Sequence, residues 1–230
     1  MIRKLILLIV LITACNAVHA SVSDSGVPEA APTNSFVPPP KKPCPDDMVY
    51  IERSNMRFCI DVFEFPDRKG EYPIAAIDGH EAEALCVGVG KRICDHSEWI
   101  TACRGKESLK YSYGNTYVKD RCNDSRTDYV GVKWGIMENR PAWRIYAHTL
   151  YKGERSGSRL LCKSDEGVFD MNGNVREWQK EPKSQYGYVF GSSYWYGDMA
   201  RNFSCGFAVG NHVSTFATYE SGVRCCKSAE

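Results

Sequence analysis

The chain lacks several features that would assign it to a common functional class. After the first 20 residues it has no long apolar segment, and it has neither a run of basic residues nor an internal repeat. Its 29 Lys and Arg residues nearly balance its 28 Asp and Glu residues, which argues against a nucleic-acid-binding surface. No C-x-x-C or H-x-x-x-H pair is present, so the usual zinc-binding spacings are missing. The spacing of residues also identifies no Ser-His-Asp or paired-carboxylate arrangement.

The N terminus has the pattern of an export signal. Basic residues precede an apolar run from Leu5 to Ile12, which is too short to remain as a membrane-spanning helix. The sequence that ends at Cys15 fits a bacterial lipobox, in which that cysteine is acylated; cleavage after Ala20 is the alternative. We favour the lipobox because a cysteine stands where lipidation requires one. We therefore expect an exported protein, either a periplasmic or outer-membrane lipoprotein attached to the membrane by its lipid alone, or a secreted protein.

The remaining sequence divides into a linker and one domain. Residues 21–43 are rich in Ser, Ala and Pro and contain too few apolar residues to fold. They are therefore predicted to form a semi-extended linker after a signal peptide at 1–20. From Cys44 onward the composition becomes aromatic, apolar and cysteine-rich, and residues 44–230 have the length of a single domain.

The cysteine count agrees with export. There are eleven cysteines, of which ten remain when Cys15 is set aside, and an even number in an exported chain predicts a disulfide framework. Cys44 and Cys59 flank a predicted hairpin that they can close. Cys122 and Cys162 bracket much of a long irregular segment.

The apolar pattern predicts short elements of both kinds. In chain order these are strands at 48–51 and 58–65, helices at 80–87 and after Asp95, and strands near 186–190, 191–195 and 222–226. Residues 104–163 show little periodicity, which predicts a long loop that needs cross-links or bound ions to stay ordered. We therefore predict an α+β domain with low regular secondary structure.

The stretch GVFDMNGNVREW at 167–178 has the composition of a cation-binding loop. Asp170 and Glu177 place a carboxylate on either side of a turn, and Ca²⁺ takes such hard oxygen ligands. Backbone carbonyl groups within the turn, at Gly173 and Val175, can add to them. The alternative is a tight turn without metal, with Asp170 bonded to its own backbone and Glu177 in a surface ion pair. Spacing alone leaves both open.

The same stretch resembles the D-x-x-G-N-V-x-E-W signature of the formylglycine-generating enzyme (sulfatase-modifying factor) family. Further motifs of that family follow in the family's order between residues 44 and 230, which makes the resemblance specific. They include FCID at 58–61, EALC at 83–86, EW at 98–99, ACRG at 102–105, YGN at 113–115, GSSYW at 191–195 and GVRC at 222–225. The resemblance implies a loop-rich relative of the C-type lectin fold, with low regular secondary structure, bound calcium and disulfide bridges.

Two calcium sites are implied by the resemblance. The first would be formed by Asp170, Gly173, Val175 and Glu177, with the glycine and the valine acting through their carbonyl groups. Asn123 and Asp124 are similar to the start of the second site.

The family's disulfides map onto the pairs Cys86–Cys225 and Cys103–Cys205. The sequence leaves the pairing of the other six cysteines open, and for these we expect Cys94–Cys226, Cys44–Cys59 and Cys122–Cys162. Bridges that close loops of such length are expected to stabilise the domain by a few kcal/mol each in the loop-entropy model.

The resemblance does not extend to the family's catalytic metal. Formylglycine-generating enzymes hold copper with two cysteines just after the strand that corresponds to 191–195, because thiolates select Cu(I). Here Tyr196 occupies the first position and the second falls near Arg201, and neither side chain is a soft copper ligand. The related ergothioneine-type sulfoxide synthases bind iron through three histidines supplied largely by an added helical domain, for which this chain shows no counterpart. We therefore expect neither copper nor iron, and no standard oxidase activity.

Three functions remain open. We favour a non-catalytic or divergent family member that acts as a calcium-stabilised binding or scaffold module in the bacterial envelope. The alternatives are a divergent metal-dependent oxidoreductase of the same family and a lectin-like ligand-display protein. Aromatic residues near the position of the missing copper site favour a protein, peptide or carbohydrate ligand. The candidate binding residues are Ser193, Tyr194, Trp195, Tyr196 and Arg201.

Overall fold

Short helices and strands connected by long irregular segments make up the structure. The computed structural model describes residues 42–126, 140–192 and 197–230. In chain order the elements are β1 (Met48–Arg53), β2 (Met56–Asp61), α1 (Gly79–Gly88), β3 (Arg92–Ile93), α2 (His96–Arg104), α3 (Arg140–Leu150), β4 (Arg176–Lys180), β5 (Tyr188–Gly191), a 3₁₀ helix (Gly197–Asn202), β6 (Ser221–Val223) and β7 (Cys225–Ser228). The predicted α+β fold with low regular secondary structure is confirmed. Within these ranges no helix combines the length and the apolar character needed to cross a membrane.

The strands form two small sheets, and the two C-terminal strands, β6 and β7, belong to different sheets. The first has the strand order β1-β2-β7-β3, and its β1–β2 hairpin turns at Ser54 and Asn55, as the sequence predicted. The second has the order β5-β4-β6, with β4 antiparallel to β5 and parallel to β6. Because β6 belongs to one sheet and β7 to the other, the single residue between them, Arg224, lies at the passage from one sheet to the next.

A buried tryptophan stands at the centre of each of the two main apolar cores. Trp99 of α2 packs in a cluster with Phe58 of β2 and Met171 of the signature loop. Trp178 of β4 belongs to the second cluster and packs against Phe190 of β5, with ring centroids 3.6 Å apart. The signature thus contributes Met171 to one core and Trp178 to the other, and this fixes the loop between them.

Both N-terminal helices start with a capping box. At α1 the Asp78 side chain accepts from the Glu81 amide at 2.9 Å, and the Glu81 carboxylate accepts from the Asp78 amide at 3.0 Å. At α2, Asp95 and Glu98 form the box that the sequence predicted. Arg92 also donates to both oxygens of Glu98, at 2.7 and 2.6 Å, so β3 and α2 are tied together at the start of the helix.

The prediction of an uninterrupted loop at 104–163 is wrong in one part. Residues Arg140–Leu150 form α3, and Ala147 on this helix is buried against Tyr219. The sequence carries the signal for it, because Pro141 suits a first helical turn and apolar residues recur at 143, 146, 147 and 150. The polar and aromatic residues on either side obscure that pattern.

Strand boundaries also differ from prediction. The strand expected at 58–65 ends at Asp61, and the strand expected at 222–226 is broken at Arg224 into β6 and β7. The strand β4 at 176–180 was not predicted, because it follows a turn and is buried over most of its length, so its sequence does not alternate.

Ten cysteines form five disulfides, and they are the five predicted pairs. The bridges are Cys44–Cys59, Cys86–Cys225, Cys94–Cys226, Cys103–Cys205 and Cys122–Cys162. Two of them end on adjacent residues of β7, Cys225 and Cys226, and attach that strand to α1 and to the residue after β3. The C-terminal strand is therefore fixed covalently to the first half of the domain.

Candidate functional site

The signature loop adopts a conformation that few residue types tolerate. Asp170, Gly173 and Asn174 have positive φ values of 57°, 87° and 61°. A Cβ atom on Gly173 would overlap the backbone carbonyl of Asn123, whose oxygen accepts a hydrogen bond from the Asn174 amide at 2.9 Å. The two segments in which calcium ligands were expected are therefore in direct contact.

The metal-free alternative required the Asp170 side chain to bond to its own backbone. The hydrogen bonds of Asp170 go to other segments instead. Its Oδ2 atom accepts from the amide of Gly157 at 2.7 Å, and its own amide donates to the carbonyl of Cys162 at 2.9 Å. The residue is only 4% exposed. Burial raises the pKa of Asp170 to about 6, so an ionised carboxylate at this position needs positive charge close by.

Glu177 lies in a fully buried ion pair, not in the surface pair of the metal-free alternative. The Arg224 guanidinium donates through Nη2 to Oε1 at 2.9 Å and through Nε to Oε2 at 3.2 Å. Trp99 Nε1 donates to Oε2 at 2.5 Å. The other Arg224 hydrogen bonds reach the carbonyl oxygens of Asp61 and Phe169, at 3.0 and 2.7 Å. Three N–H donors therefore satisfy the Glu177 carboxylate.

Negative charge exceeds positive charge around this pair. Glu64 is fully buried, and its carboxylate accepts from the Ser156 hydroxyl at 2.6 Å and from the Asn174 side-chain amide at 2.8 Å. Burial and the neighbouring Asp170 raise the pKa of Glu64 well above its usual range. Glu64, Asp170 and Glu177 all interact with the Arg224 guanidinium, so three carboxyl groups face one cation there.

The expected calcium ligands fit a calcium ion only in part. Both oxygens of Glu177 are engaged by the protein, and the Gly173 carbonyl accepts from the Ser192 hydroxyl at 2.7 Å. In the parts of the chain that the structure describes, no three His, Cys, Asp or Glu side chains gather as a metal site would require. Asp170 and the carbonyl of Val175 are the members of the set that these contacts leave for a metal ion.

The second expected segment is likewise occupied by protein contacts. The Asn123 side chain donates to the Lys152 carbonyl at 3.2 Å and accepts from Arg126 Nε at 3.1 Å. The Asp124 carboxylate accepts from the Tyr117 hydroxyl at 3.2 Å, and burial raises its pKa to about 6. The Asn123 side chain also donates to Asn174 Oδ1 at 3.3 Å, which holds the segment against the signature loop through protein contacts alone.

Of the five candidate binding residues, the structure places only Arg201. Ser193, Tyr194, Trp195 and Tyr196 lie outside the described residues. Arg201 belongs to the 3₁₀ helix Gly197–Asn202, and its backbone carbonyl accepts a hydrogen bond from the Tyr111 hydroxyl.

A hollow of about 370 Å³ adjoins Arg201 and is lined by Thr116, Tyr117, Lys119, Gly197 and Arg201. Two cationic side chains and two hydroxyl groups therefore face the same space. Lys119 and Tyr117 were missed from the sequence because they lie in a segment without periodicity, about 80 residues from Arg201 along the chain. No local pattern connects them to it.

No thiol remains in the domain. All ten cysteines between Cys44 and Cys226 are paired, so none is available as a thiolate ligand or nucleophile. Three histidines whose side chains the structure describes are held by other groups. His96 pairs with Gln179 at 2.6 Å, His80 with Ser214 at 2.8 Å, and His212 stacks on a phenylalanine ring at 3.9 Å between centroids.

The sequence matches the family described as Sulfatase-modifying factor enzyme 1-like domain over residues 47–229. It is similar to a protein of Bos taurus named Inactive C-alpha-formylglycine-generating enzyme 2, with 26% identity over 111 residues. This match covers 48% of the chain and 33% of that relative, so the chain spans about a third of the length of the curated relative it matches.

Two solved structures illustrate the fold that the chain shares. Treponema denticola variable protein 1 is 14% identical and gives a TM-score of 0.56, with 79% of this chain and 94% of that protein covered. PvdO from Pseudomonas aeruginosa is also 14% identical and gives a TM-score of 0.52, with 75% and 80% covered. At this level of identity the likeness concerns the fold, and the predicted C-type-lectin-like architecture is confirmed.

Proposed function

The chain belongs to the family of Sulfatase-modifying factor enzyme 1-like domains, and from this membership we propose that it is a non-catalytic member that acts as a binding or scaffold module. The pairing of all ten cysteines of the domain carries the proposal. Copper-dependent oxidation of a cysteine requires a soft thiolate pair to hold Cu(I). The residues present do not fit that metal, because every sulfur of this kind is already oxidised and Arg201 stands near the second position. The name of the bovine relative, which calls it inactive, agrees with this proposal.

An oxidation assay tests the absence of catalysis. The oxidised, purified domain is incubated with Cu(I), oxygen and a cysteine-containing peptide, and the peptide mass is followed. We expect no loss of the cysteine thiol beyond that in a protein-free control, and no stoichiometric copper after gel filtration. Enzyme-dependent formation of an aldehyde on the peptide would contradict the proposal and restore the oxidoreductase alternative.

We place the ligand site of this module in the hollow between Lys119 and Arg201. Its two cationic residues and the hydroxyl group of Thr116 suit a carboxylate, sulfate or phosphate group on a peptide or carbohydrate ligand. Protein and small-molecule sites of this kind combine a concave shape with a few polar groups that fix orientation. Gly197, which lines the hollow, directly follows the candidate residue Tyr196 in the sequence.

Inorganic sulfate and phosphate serve as probes of this hollow. We expect either anion to raise the melting temperature of the domain, and Arg201→Gln to remove that effect. Lys163→Gln is the matched control, since this exposed lysine lies outside the hollow and its substitution removes the same charge. Equal responses in the two variants would show that the anions act on the whole surface rather than at the hollow.

Export and lipid attachment are part of the same proposal. Five disulfides in one domain form and persist only where the surroundings are oxidising, which favours the periplasm, the outer membrane or the medium over the cytosol. Labelling of cells with an alkyne fatty acid should mark the full-length protein, and Cys15→Ser should abolish the label. Retention of the label in that variant would contradict acylation at Cys15.

Calcium also remains a proposal, with a smaller ligand set than the resemblance implies. The surplus of buried carboxyl groups around Arg224 favours an additional cation, and Asp170 is the acidic group best placed to meet it. Glu177 is excluded from the calcium ligand set because both of its carboxylate oxygens accept hydrogen bonds from Arg224 or Trp99. A calcium ion at this position would neutralise charge and stabilise the signature loop, and has no role in a reaction.

A further inference from the structure

Two β-turns lie side by side at one edge of the irregular part of the domain. In the first, the Arg121 amide donates to the Val118 carbonyl at 3.2 Å; in the second, the Cys162 amide donates to the Arg159 carbonyl at 2.9 Å. The Cys122–Cys162 disulfide joins the residue after the first turn to the residue that ends the second. Arg159 Nη1 adds hydrogen bonds to the carbonyl of Asp120 at 2.6 Å and to that of Cys122 at 3.0 Å. The two turns therefore form one rigid surface.

The tips of these turns expose apolar side chains. Leu160 and Leu161 occupy the two central positions of the second turn and are 61% and 64% exposed, and Val118 of the first turn is 41% exposed. Central turn positions are usually taken by Gly, Pro, Asn, Asp or Ser. Side chains exposed to this extent bury little area on folding, so the fold gives no reason for two adjacent leucines here.

The apolar side chains border a cavity with a basic lining. The cavity measures about 340 Å³ and is lined by Val118, Lys119, Asp120, Arg121, Arg159, Leu160 and Leu161. Three of these residues are cationic and one is acidic. Arg159 is already paired with Glu154, at 2.6 and 2.7 Å, so it holds the surface together while Lys119 and Arg121 give it positive potential.

We propose that this surface, formed by the turns Val118–Arg121 and Arg159–Cys162, docks an acidic peptide segment that inserts one bulky apolar side chain between Leu160, Leu161 and Val118. A concavity of this size accommodates a single large side chain, which a flat lipid surface cannot supply. The basic lining complements acidic residues on either side of that anchor. The inference rests on the proposed binding role and names the partner. The surface that it concerns does not include Arg201.

Four fluorescein-labelled peptides test the docking surface. Each peptide has about a dozen residues, so that its extended length exceeds the width of the cavity. The first combines Glu and Ser residues with a central Leu-Phe pair. The second has Ser in place of the apolar pair, the third has Lys in place of Glu, and the fourth is uncharged with the apolar pair retained. Anisotropy titrations against the oxidised domain should rank the first peptide tightest. Its affinity should fall as salt rises, because the exposed charges are screened.

Substitutions at the turn tip provide the decisive variant. Leu160→Ser with Leu161→Ser keeps the turn, since serine suits these positions, and should weaken the first peptide about tenfold or more. Ile145→Ser is the matched control, because this residue of α3 is 72% exposed and outside the cavity, and it should leave the affinity unchanged.

Several results would overturn the inference. It fails if none of the peptides binds, or if all four bind equally. It also fails if the leucine variant binds the first peptide as the unmodified domain does. Leucine-dependent binding to phosphatidylglycerol vesicles would assign the surface to a membrane, and leucine-dependent dimerisation would assign it to a second copy of the chain. Failure here leaves the oxidation assay and the sulfate titration unaffected, so the proposed function is tested separately.

Discussion

Glu177 of β4 and Arg224, the residue between β6 and β7, form an ion pair without solvent exposure, with 2.9 Å between Oε1 and Nη2. The pair links the end of the signature loop to the point where the chain passes from one sheet to the other. A buried ion pair of this kind adds little net stability relative to an apolar pair of the same volume. Loss of one partner is costly, because it leaves a buried charge without compensation.

Replacement of Arg224 by Met should therefore lower the free energy of unfolding by about 3 to 5 kcal/mol. The variant leaves Glu177 unpaired and also removes the cation that Glu64 and Asp170 face. Glu177→Gln should cost less, since the guanidinium retains its two carbonyl partners and two other carboxyl groups. Urea unfolding of the oxidised domain measures both values.

Asp46→Asn provides the control for that comparison. The ion pair of Asp46 with Lys42 is exposed, with 81% and 73% of the side chains accessible, so its loss should not change the unfolding midpoint measurably. Equal effects of Arg224→Met and Asp46→Asn would contradict the view that burial makes the first pair essential.

Much of this site could be predicted from sequence because the signature is contiguous. The positive φ values fall on Gly173, which is in a turn, and on residues close to it. Trp178 follows the turn and is buried, as is usual for a tryptophan. The partner of Glu177 could not be predicted in the same way, because Arg224 lies 47 residues away. Only the meeting of two sheets brings the two side chains together, and spacing along the chain does not encode that meeting.

The cysteine framework shows the same division. The pairs Cys44–Cys59 and Cys122–Cys162 close local segments that the sequence already singled out, with separations of 15 and 40 residues. The long-range pairs Cys86–Cys225 and Cys103–Cys205 came from the family resemblance, and Cys94–Cys226 was expected from the cysteines that remained. Physical reasoning alone does not give them, since an even cysteine count permits many connectivities. Helix α3 was missed for a different reason, because its short apolar stripe is flanked by polar and aromatic residues on both sides.

Gly173→Ala should destabilise the domain more than the same change at Gly70. Both glycines have positive φ, 87° and 81°, so alanine is strained at either position by about 1 to 2 kcal/mol. At Gly70 a Cβ atom meets open space, whereas at Gly173 it would overlap the carbonyl of Asn123. Thermal unfolding of the two variants isolates this steric contribution, and equal losses of stability would contradict the contact between the two loops.

Removal of the Cys122–Cys162 disulfide by a double substitution with Ser should lower the free energy of unfolding by about 4 kcal/mol in the loop-entropy model, since it closes a loop of 40 residues. It should also loosen the two β-turns that the bridge joins. Limited proteolysis should then cleave first after Lys119, Arg121 or Arg159, where the unmodified domain resists cleavage. Removal of Cys44–Cys59 is the control, because that bridge closes the N-terminal hairpin and should leave these three positions protected.

The stabilisation of the domain by calcium should depend on pH, because it requires the ionised form of Asp170. Without metal, burial holds the pKa of this carboxyl near 6, above the value of about 3.9 for an unfolded chain, so the folded state favours the protonated form. Its contribution to stability is then present at low pH and is lost as the pH rises through about 6. Calcium binds the ionised form, so the difference in melting temperature between calcium and a chelator should be clear at about pH 7.5 and absent at about pH 5.

Asp170→Asn should abolish the calcium response and reduce the loss of stability with rising pH, because the amide does not ionise whereas Glu64 and Asp124, whose pKa values burial also raises, still do. Asp95→Asn is the control for the substitution itself, since this partly exposed capping residue lies at α2, outside the expected ligand set. A melting temperature that is equal in calcium and in chelator at about pH 7.5 would contradict the calcium proposal. The Arg224 guanidinium would then be the cation that balances the signature loop, and Asp170, with its pKa raised to about 6, would be protonated only below that pH.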